Sequence, residues 1–171
     1  QGYLPPIATA RAATLGNVRC LMVGTDMAIG KMTAGLEIWH SLRDRGADAA
    51  FLASGQIGVA ITGAGIPLDA YRVDHASGAV ERMVMEAGAH AIQIIEGQGS
   101  LLHPGSTATL PLLRGSCANR MILCHRAGMA HLDTMEHVRV PPLPDVVALY
   151  EAMASAAALR AGKHVFCEKP L

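Results

Sequence analysis

A glycine followed by lysine, Gly30-Lys31, lies between an apolar run and a stretch of helical spacing in "VGTDMAIGKMT", Val23 to Thr33. That arrangement suits phosphate. The N–H groups at a helix start are unpaired and the helix dipole favours an anion there. Gly30 allows close backbone approach and Lys31 supplies a point charge that can reach phosphate oxygens. The spacing departs from the common loop G-x-x-x-x-G-K-[ST]. Gly24 comes one residue early, Thr25 stands where the first glycine belongs, and Met32 replaces the hydroxyl residue. Magnesium prefers oxygen, so Met32 cannot ligate it. Thr33 is one position late, roughly 100° further round a helix. The competing reading is an ordinary strand-to-helix turn capped by Thr25 or Asp26 with Lys31 in solvent.

Glu96 directly follows the apolar run "AIQII" and opens "EGQGS". A carboxylate at a strand end beside a phosphate loop is placed to hold Mg²⁺, directly or through water. It could equally cap the next segment or pair with Lys31. His103 and His125 fall just beyond strand ends, and either is a candidate general base because imidazole titrates near neutrality. With eight histidines in 171 residues, a structural role is the alternative for each, and His131 and His137 show no ligand spacing. Gln56 and Asp69 belong to the glycine-rich stretch "SGQIGVAITGAGIPLDAYRVD" and are candidate substrate contacts, as are Gln98 and Ser100. Asp74 and Ser77 are candidate caps for the helix that follows.

These residues need elements to hold them. Val18–Val23 reads as a strand, Lys31–Arg45 as a helix ended by Gly46, and Ala49–Ala53 as a second buried strand. The glycine-rich segment after it reads as too broken for a helix and too long for a tight turn. Ser77–Ala87 has helical spacing, Ala91–Ile95 is a strand, Ser106–Arg114 a short helix and Met121–Cys124 a strand, with a loop from His125. "PPLPD" interrupts the chain before a final helix over Val146–Ala161, and "HVF" is strand-like. Apolar strands alternating with helices predict an α/β fold, a parallel sheet covered on both faces. Ligands of such sheets bind beyond the carboxyl ends of the strands. Three loops there carry polar residues: "GTDMAIGKMT", "EGQGS" and "HRAGMAH".

At this length one domain is expected, able to bury roughly 70% of its unfolded surface. The formal net charge is zero and charged residues make up 16%, so no basic field is available for nucleic acid or an anionic membrane. With aromatics at 4%, base-stacking surfaces are not expected. Cys20, Cys117, Cys124 and Cys167 show no metal spacing and sit mostly in apolar runs, as reduced thiols of a cytoplasmic protein would. No apolar run reaches the ~18 residues of a membrane span. Residues 1–17 read as linker-like, 18–161 as the α/β domain, and 162–171 as an atypical tail.

"VGTDMAIGKMT", "ASGQIGVAITGAGIPLDAYRVDHASGAVE", "IIEGQGSLLHPG" and "ILCHRAG" occur in that order. Together they resemble the C-terminal domain of a bacterial and archaeal family long called a domain of unknown function, whose members are described as D-glutamate N-acetyltransferases of the DgcN type. The resemblance runs from about Val18 to about Ser155. The first loop is also similar to that of dethiobiotin synthetase, a phosphate-loop ligase with the same G-T-D start. These resemblances imply a three-layer P-loop NTPase-like fold with a mostly parallel sheet, with Gly24, Thr25, Asp26, Gly30, Lys31 and Thr33 around phosphate and Glu96 near a metal or the substrate. They also imply a preceding N-terminal Rossmann-like domain that this sequence does not contain, and a homo-oligomer is expected. The closing "AGKHVFCEKPL" is instead similar to the lysine-bearing E-K-P segment of sugar-type NAD(P)-dependent oxidoreductases. No G-x-G-x-x-G precedes it, so no dehydrogenase role follows for Lys169.

The activity implied is acetyl transfer from acetyl-CoA to D-glutamate or a similar acidic amino acid, with His125, His103 or Glu96 as base and N–H groups of Gly97 to Ser100 stabilising the oxyanion. Coenzyme A carries phosphates, so a loop lacking the metal hydroxyl remains useful to it. The alternatives are an ATP- and Mg²⁺-dependent ligase or kinase of the dethiobiotin synthetase type, and a nucleotide-binding domain without turnover.

Overall fold

The continuous apolar run of Val18–Gly24 forms β1, whose residues from Cys20 onward are all buried. A computed structural model describes residues 7–133, 135–154 and, as backbone, 164–169. After β1 comes α1 (Lys31–Asp44), which begins at Gly30 with φ 91°. It stops where Gly46 takes φ 77° and donates its N–H to the Arg43 carbonyl at 2.8 Å, as a left-handed residue beyond a helix end does. The chain continues through β2 (Ala49–Leu52), α2 (Gln56–Thr62), α3 (Val73–Glu86), β3 (Ile92–Ile95), α4 (Thr109–Ser116) and β4 (Arg120–Arg126). A hairpin of β5 (His131–Leu132) and β6 (Met135–Arg139) precedes α5 (Leu143–Met153) and β7 (His164–Lys169).

The main sheet has the order β2-β3-β1-β4-β7, and every pairing in it is parallel. β1 is central, with Leu21 opposite Ile95 on one side and Met121 on the other. The chain runs from β1 to the edge strand β2, returns at β3, and crosses β1 to reach β4. Strand order therefore reverses beside β1, and the loops leaving β1, β3 and β4 meet at the carboxyl edge there.

Alternation along the strands divides the core in two. Leu21, Val23, Leu52, Ile95 and Leu123 face Val80, Val84, Leu112, Leu113, Val146 and Tyr150 of α3, α4 and α5. Cys20, Met22, Phe51, Ile94 and Cys124 face α1 through Leu36, Ile38, Trp39 and Leu42. The result is the expected three-layer α/β arrangement. Cys20, Cys117 and Cys124 are buried free thiols, and burial pushes the Cys20 thiol up to about 12. No helix among the described residues is long and apolar enough to cross a membrane.

Several local expectations need correction. The glycine-rich segment contains a seven-residue helix, α2, where no helix was expected. Its glycines are packing devices: a Cβ on Gly58 would lie 2.6 Å from Glu96 Oε2. Helix α3 starts at Val73, four residues before the predicted start, with Arg72 as N-cap and no side-chain cap, so neither Asp74 nor Ser77 caps it. His125 lies inside β4 and not in the following loop. His131 and His137 belong to the hairpin. The final helix begins at Leu143, and the predicted extension past 154 lies outside the described residues. The segment read as linker-like is docked from residue 7: Ala12 is fully buried, and the N–H groups of Thr9 and Arg11 donate to the Glu81 carboxylate at 3.0 and 2.6 Å. The segment read as a tail supplies β7, which extends the sheet beside β4 from Met121 to Arg126.

Candidate functional site

The first loop holds itself together through buried polar groups. Lys31 is only 4% exposed, and its Nζ donates to the carbonyls of Asp26 and Met27, both at 2.6 Å. The ammonium therefore closes the loop around its own backbone, and burial pulls it down to about 8. Asp26 accepts the N–H of Met27 on Oδ1 and the N–H of Asp133 on Oδ2, each at 2.7 Å. This second bond ties the loop to the β5–β6 hairpin. Thr25 is fully buried, and its Oγ1 shares a hydrogen bond with His125 Nδ1 at 3.0 Å. Neither Thr25 nor Asp26 caps α1, which has no side-chain cap at Gly30. Thr33 is exposed, and Met32 packs against the cluster that contains Ile29 and Met22.

The second loop lies directly against β1. A Cβ on Gly97 would sit 1.6 Å from the Met22 carbonyl oxygen and 3.5 Å from the Lys31 side chain, so this position must be glycine for the two loops to touch. Glu96 is 5% exposed; its Oε2 accepts the N–H groups of Ser54 at 2.7 Å and Gly55 at 3.0 Å. Ser54 Oγ donates to the Glu96 carbonyl at 2.9 Å. Glu96 thus clamps the start of α2 to the end of β3. Among the described residues no group of three or more His, Cys, Asp or Glu side chains is gathered for a metal. A magnesium ion beside Glu96 would draw its other ligands from phosphate and water.

Gln98 donates to the Ser54 carbonyl, and its own carbonyl accepts from Thr109 Oγ1 at 2.9 Å. Ser100 is buried; its N–H donates to Ser106 Oγ and its Oγ accepts from Leu102 N–H, both at 3.1 Å. His103 Nδ1 accepts the Gly105 N–H at 3.1 Å. Gln56 opens α2 one residue from Gly55, and Asp69 lies on the 3-10 turn Leu68–Ala70; both are exposed. The structure thus brings Gly24, Thr25, Asp26, Gly30, Lys31, Glu96 and His125 to one edge of the sheet, while Thr33, Gln56 and Asp69 face solvent.

Two residues that no sequence pattern singled out belong to this region. Tyr150 of α5 is 1% exposed. Its hydroxyl donates to the Gly24 carbonyl at 2.7 Å and accepts the Leu101 N–H at 3.1 Å, joining the first and second loops. A tyrosine on the apolar side of a helix is the available signal, since a buried phenol finds polar partners. Arg139 ends β6, and with His125, Met129, Val140, Pro141, Pro142 and Leu143 it lines a cleft of about 630 Å³. Nothing in its spacing marked it.

Set against known proteins, this arrangement has relatives. A D-glutamate N-acetyltransferase of Pseudoalteromonas sp is 34% identical over 148 residues, which is 86% of this chain and 45% of that protein. A D-glutamate N-acetyltransferase of Tritonibacter scottomollicae is 38% identical over 129 residues, 75% of this chain and 39% of that protein. The chain therefore spans less than half the length of these curated relatives. The crystal structure of a DUF1611 family protein from Anabaena variabilis shares 50% identity and a TM-score of 0.90, over 98% of this chain and 50% of that one. The family model described as "Domain of unknown function (DUF1611_C) P-loop domain" matches residues 6–166, nearly the whole chain, and by that match this chain belongs to the DUF1611 family.

Proposed function

We propose that this domain binds the phosphates of coenzyme A in the loop from Gly24 to Lys31 and takes part in transfer of an acetyl group to the amine of D-glutamate or a similar acidic amino acid. The observation that carries this reading is the pairing of Lys31 with Met32. The loop keeps the buried lysine of a phosphate site, while the residue after it packs into the apolar layer and offers no oxygen to a metal. Phosphate recognition survives such a change better than metal-assisted phosphoryl transfer does. The names of the two relatives point the same way.

In the reaction, the amine lone pair attacks the thioester carbonyl carbon, the nitrogen loses a proton to a base, and the tetrahedral oxyanion collapses to the amide with release of the coenzyme A thiolate. His125 suits the base. With its Nδ1–H donating to Thr25 Oγ1, Nε2 keeps a lone pair directed away from that bond. His103 is the weaker candidate because its Nδ1 lone pair accepts from Gly105, which puts the proton of the neutral ring on Nε2. Glu96 has one oxygen occupied by two backbone donors. Since Ser100 N–H is committed to Ser106, the expected oxyanion donors narrow to Gly97, Gln98 and Gly99.

The test is a thermal-shift titration of the chain with acetyl-CoA and, separately, ATP with Mg²⁺, followed by mass-spectrometric detection of N-acetyl-D-glutamate. A ligand that binds only the native state raises its stability by mass action. Stabilisation by acetyl-CoA with product formation is expected; stabilisation by ATP alone, without an acetylated product, would overturn the reading.

A further inference from the structure

The cleft at the carboxyl end of β4 has a composition that selects a ligand. Its volume of about 630 Å³ lies within the range of small-molecule sites. Met129, Val140, Pro141, Pro142 and Leu143 make apolar walls, and the polar members are His125 and Arg139. No carboxylate lines it. The charges closest in the chain are satisfied elsewhere: Arg126 pairs with Asp133 at 2.7 Å, and Asp26 accepts two backbone N–H groups. Among the described residues, no ion pair involves Arg139. Pro142 and Leu143 also open α5, an 11-residue helix, so the positive end of its dipole has the same sign as the guanidinium.

His125 connects this cleft to the phosphate loop, because the same ring that lines the cleft is bonded to Thr25. We infer that the cleft is the acyl-acceptor site and takes a small amino acid, with Arg139 holding a carboxylate of the acceptor while its amine lies toward His125. A guanidinium matches a carboxylate with two parallel hydrogen bonds. The apolar walls lower the local dielectric, strengthen that pairing and exclude water from the amine. Arg139 is then a specificity residue and His125 the shared boundary between acceptor and acyl donor. This inference rests on the acyl-transfer reading for the amine's role, but the carboxylate contact is testable without it.

The experiment measures D-glutamate binding by calorimetry, and its KM in acetyl transfer, for the full chain and for Arg139→Gln, Arg139→Lys and Leu143→Trp. Coenzyme A thermal shift is recorded for each variant as a folding and donor-site control. Arg139→Gln is expected to weaken D-glutamate by about tenfold or more, Arg139→Lys to restore part of it, and Leu143→Trp to block the cleft, all with the coenzyme A shift retained. If Arg139→Gln and Leu143→Trp both leave D-glutamate affinity and KM unchanged, the acceptor site lies elsewhere, and the acyl-transfer reading stands or falls on product formation alone. If the wild-type chain binds D-glutamate in an Arg139-dependent way but neither binds coenzyme A nor forms product, the carboxylate site holds and the acyl-transfer reading fails. Absence of saturable D-glutamate binding to the wild type, with coenzyme A present, overturns the inference.

Discussion

The Tyr150 hydroxyl donates to the Gly24 carbonyl at 2.7 Å across 126 residues of sequence, and the same oxygen accepts the N–H of Leu101. One phenol from α5 thus fixes the spacing between the end of β1 and the loop after β3. Burial pushes the phenol above its ordinary value, which keeps the proton available for donation. Tyr150→Phe leaves a buried carbonyl and a part-buried N–H without this partner, at a cost of about 1–3 kcal/mol. Urea denaturation should show that loss, and coenzyme A affinity should fall with it if the loop loses its register.

Lys31 gives a pH signature. Its folded value of about 8 lies below the ordinary 10.5, so across that window the unfolded chain holds more protons at this position than the folded one. Stability contributed by Lys31 therefore rises with pH from about 8 upward. The difference in unfolding free energy between wild type and Lys31→Met should rise across that interval. Anion binding should run the opposite way, weakening as the free lysine loses its proton above pH about 8. Lys31→Met should weaken coenzyme A by about 10- to 100-fold at neutral pH, the range of a charge-assisted hydrogen bond, and should abolish that pH dependence.

Gly97 and Gly46 should respond to alanine in opposite ways. At Gly97 the new Cβ would meet a backbone carbonyl at 1.6 Å, which no side-chain rotation relieves; a loss of about 3 kcal/mol or more, or failure to fold, is expected. At Gly46 the space is open and only the left-handed backbone, φ 77°, opposes a side chain, a cost of about 1–2 kcal/mol. Thermal denaturation of the two variants separates contact from conformation.

The two histidines should also divide. His125→Ala is expected to lower kcat by roughly 10²- to 10⁴-fold, the range for a general base, with the fold intact by circular dichroism. His103→Ala removes an acceptor from a turn and should cost about 1 kcal/mol of stability while leaving kcat near wild type. Equal kcat losses for both would remove the distinction drawn from their hydrogen bonds.

Glu81 holds residues 9–11 against α3 through two backbone N–H groups. Glu81→Ala should release that segment, since bonds to a charged acceptor are worth about 1.5–3 kcal/mol each. Hydrogen exchange at Thr9 and Arg11 should accelerate, with the exchange of β1 and β3 amides unchanged.

The parts that local chemistry governs were legible without coordinates. β1, α1 and the stop at Gly46 follow from apolar runs, helical spacing and a glycine in the left-handed region, and the alternation of strands and helices carried the parallel three-layer fold. Helix α2 escaped because it is seven residues long and holds Gly58, a residue chosen for its contact with Glu96 and not for helix propensity. The polar residues of "EGQGS" were visible as chemistry, but their direction was not: Gln98 and Ser100 turn inward to bond the loops themselves. Sequence spacing could name Lys31, Glu96 and His125 because each follows a recognisable run. Only the tertiary structure could add Tyr150 and Arg139, since the contact of Tyr150 with Gly24 and the place of Arg139 beside His125 depend on the chain crossing the sheet, and a residue's own neighbours in sequence carry no record of what packs against it from a hundred residues away.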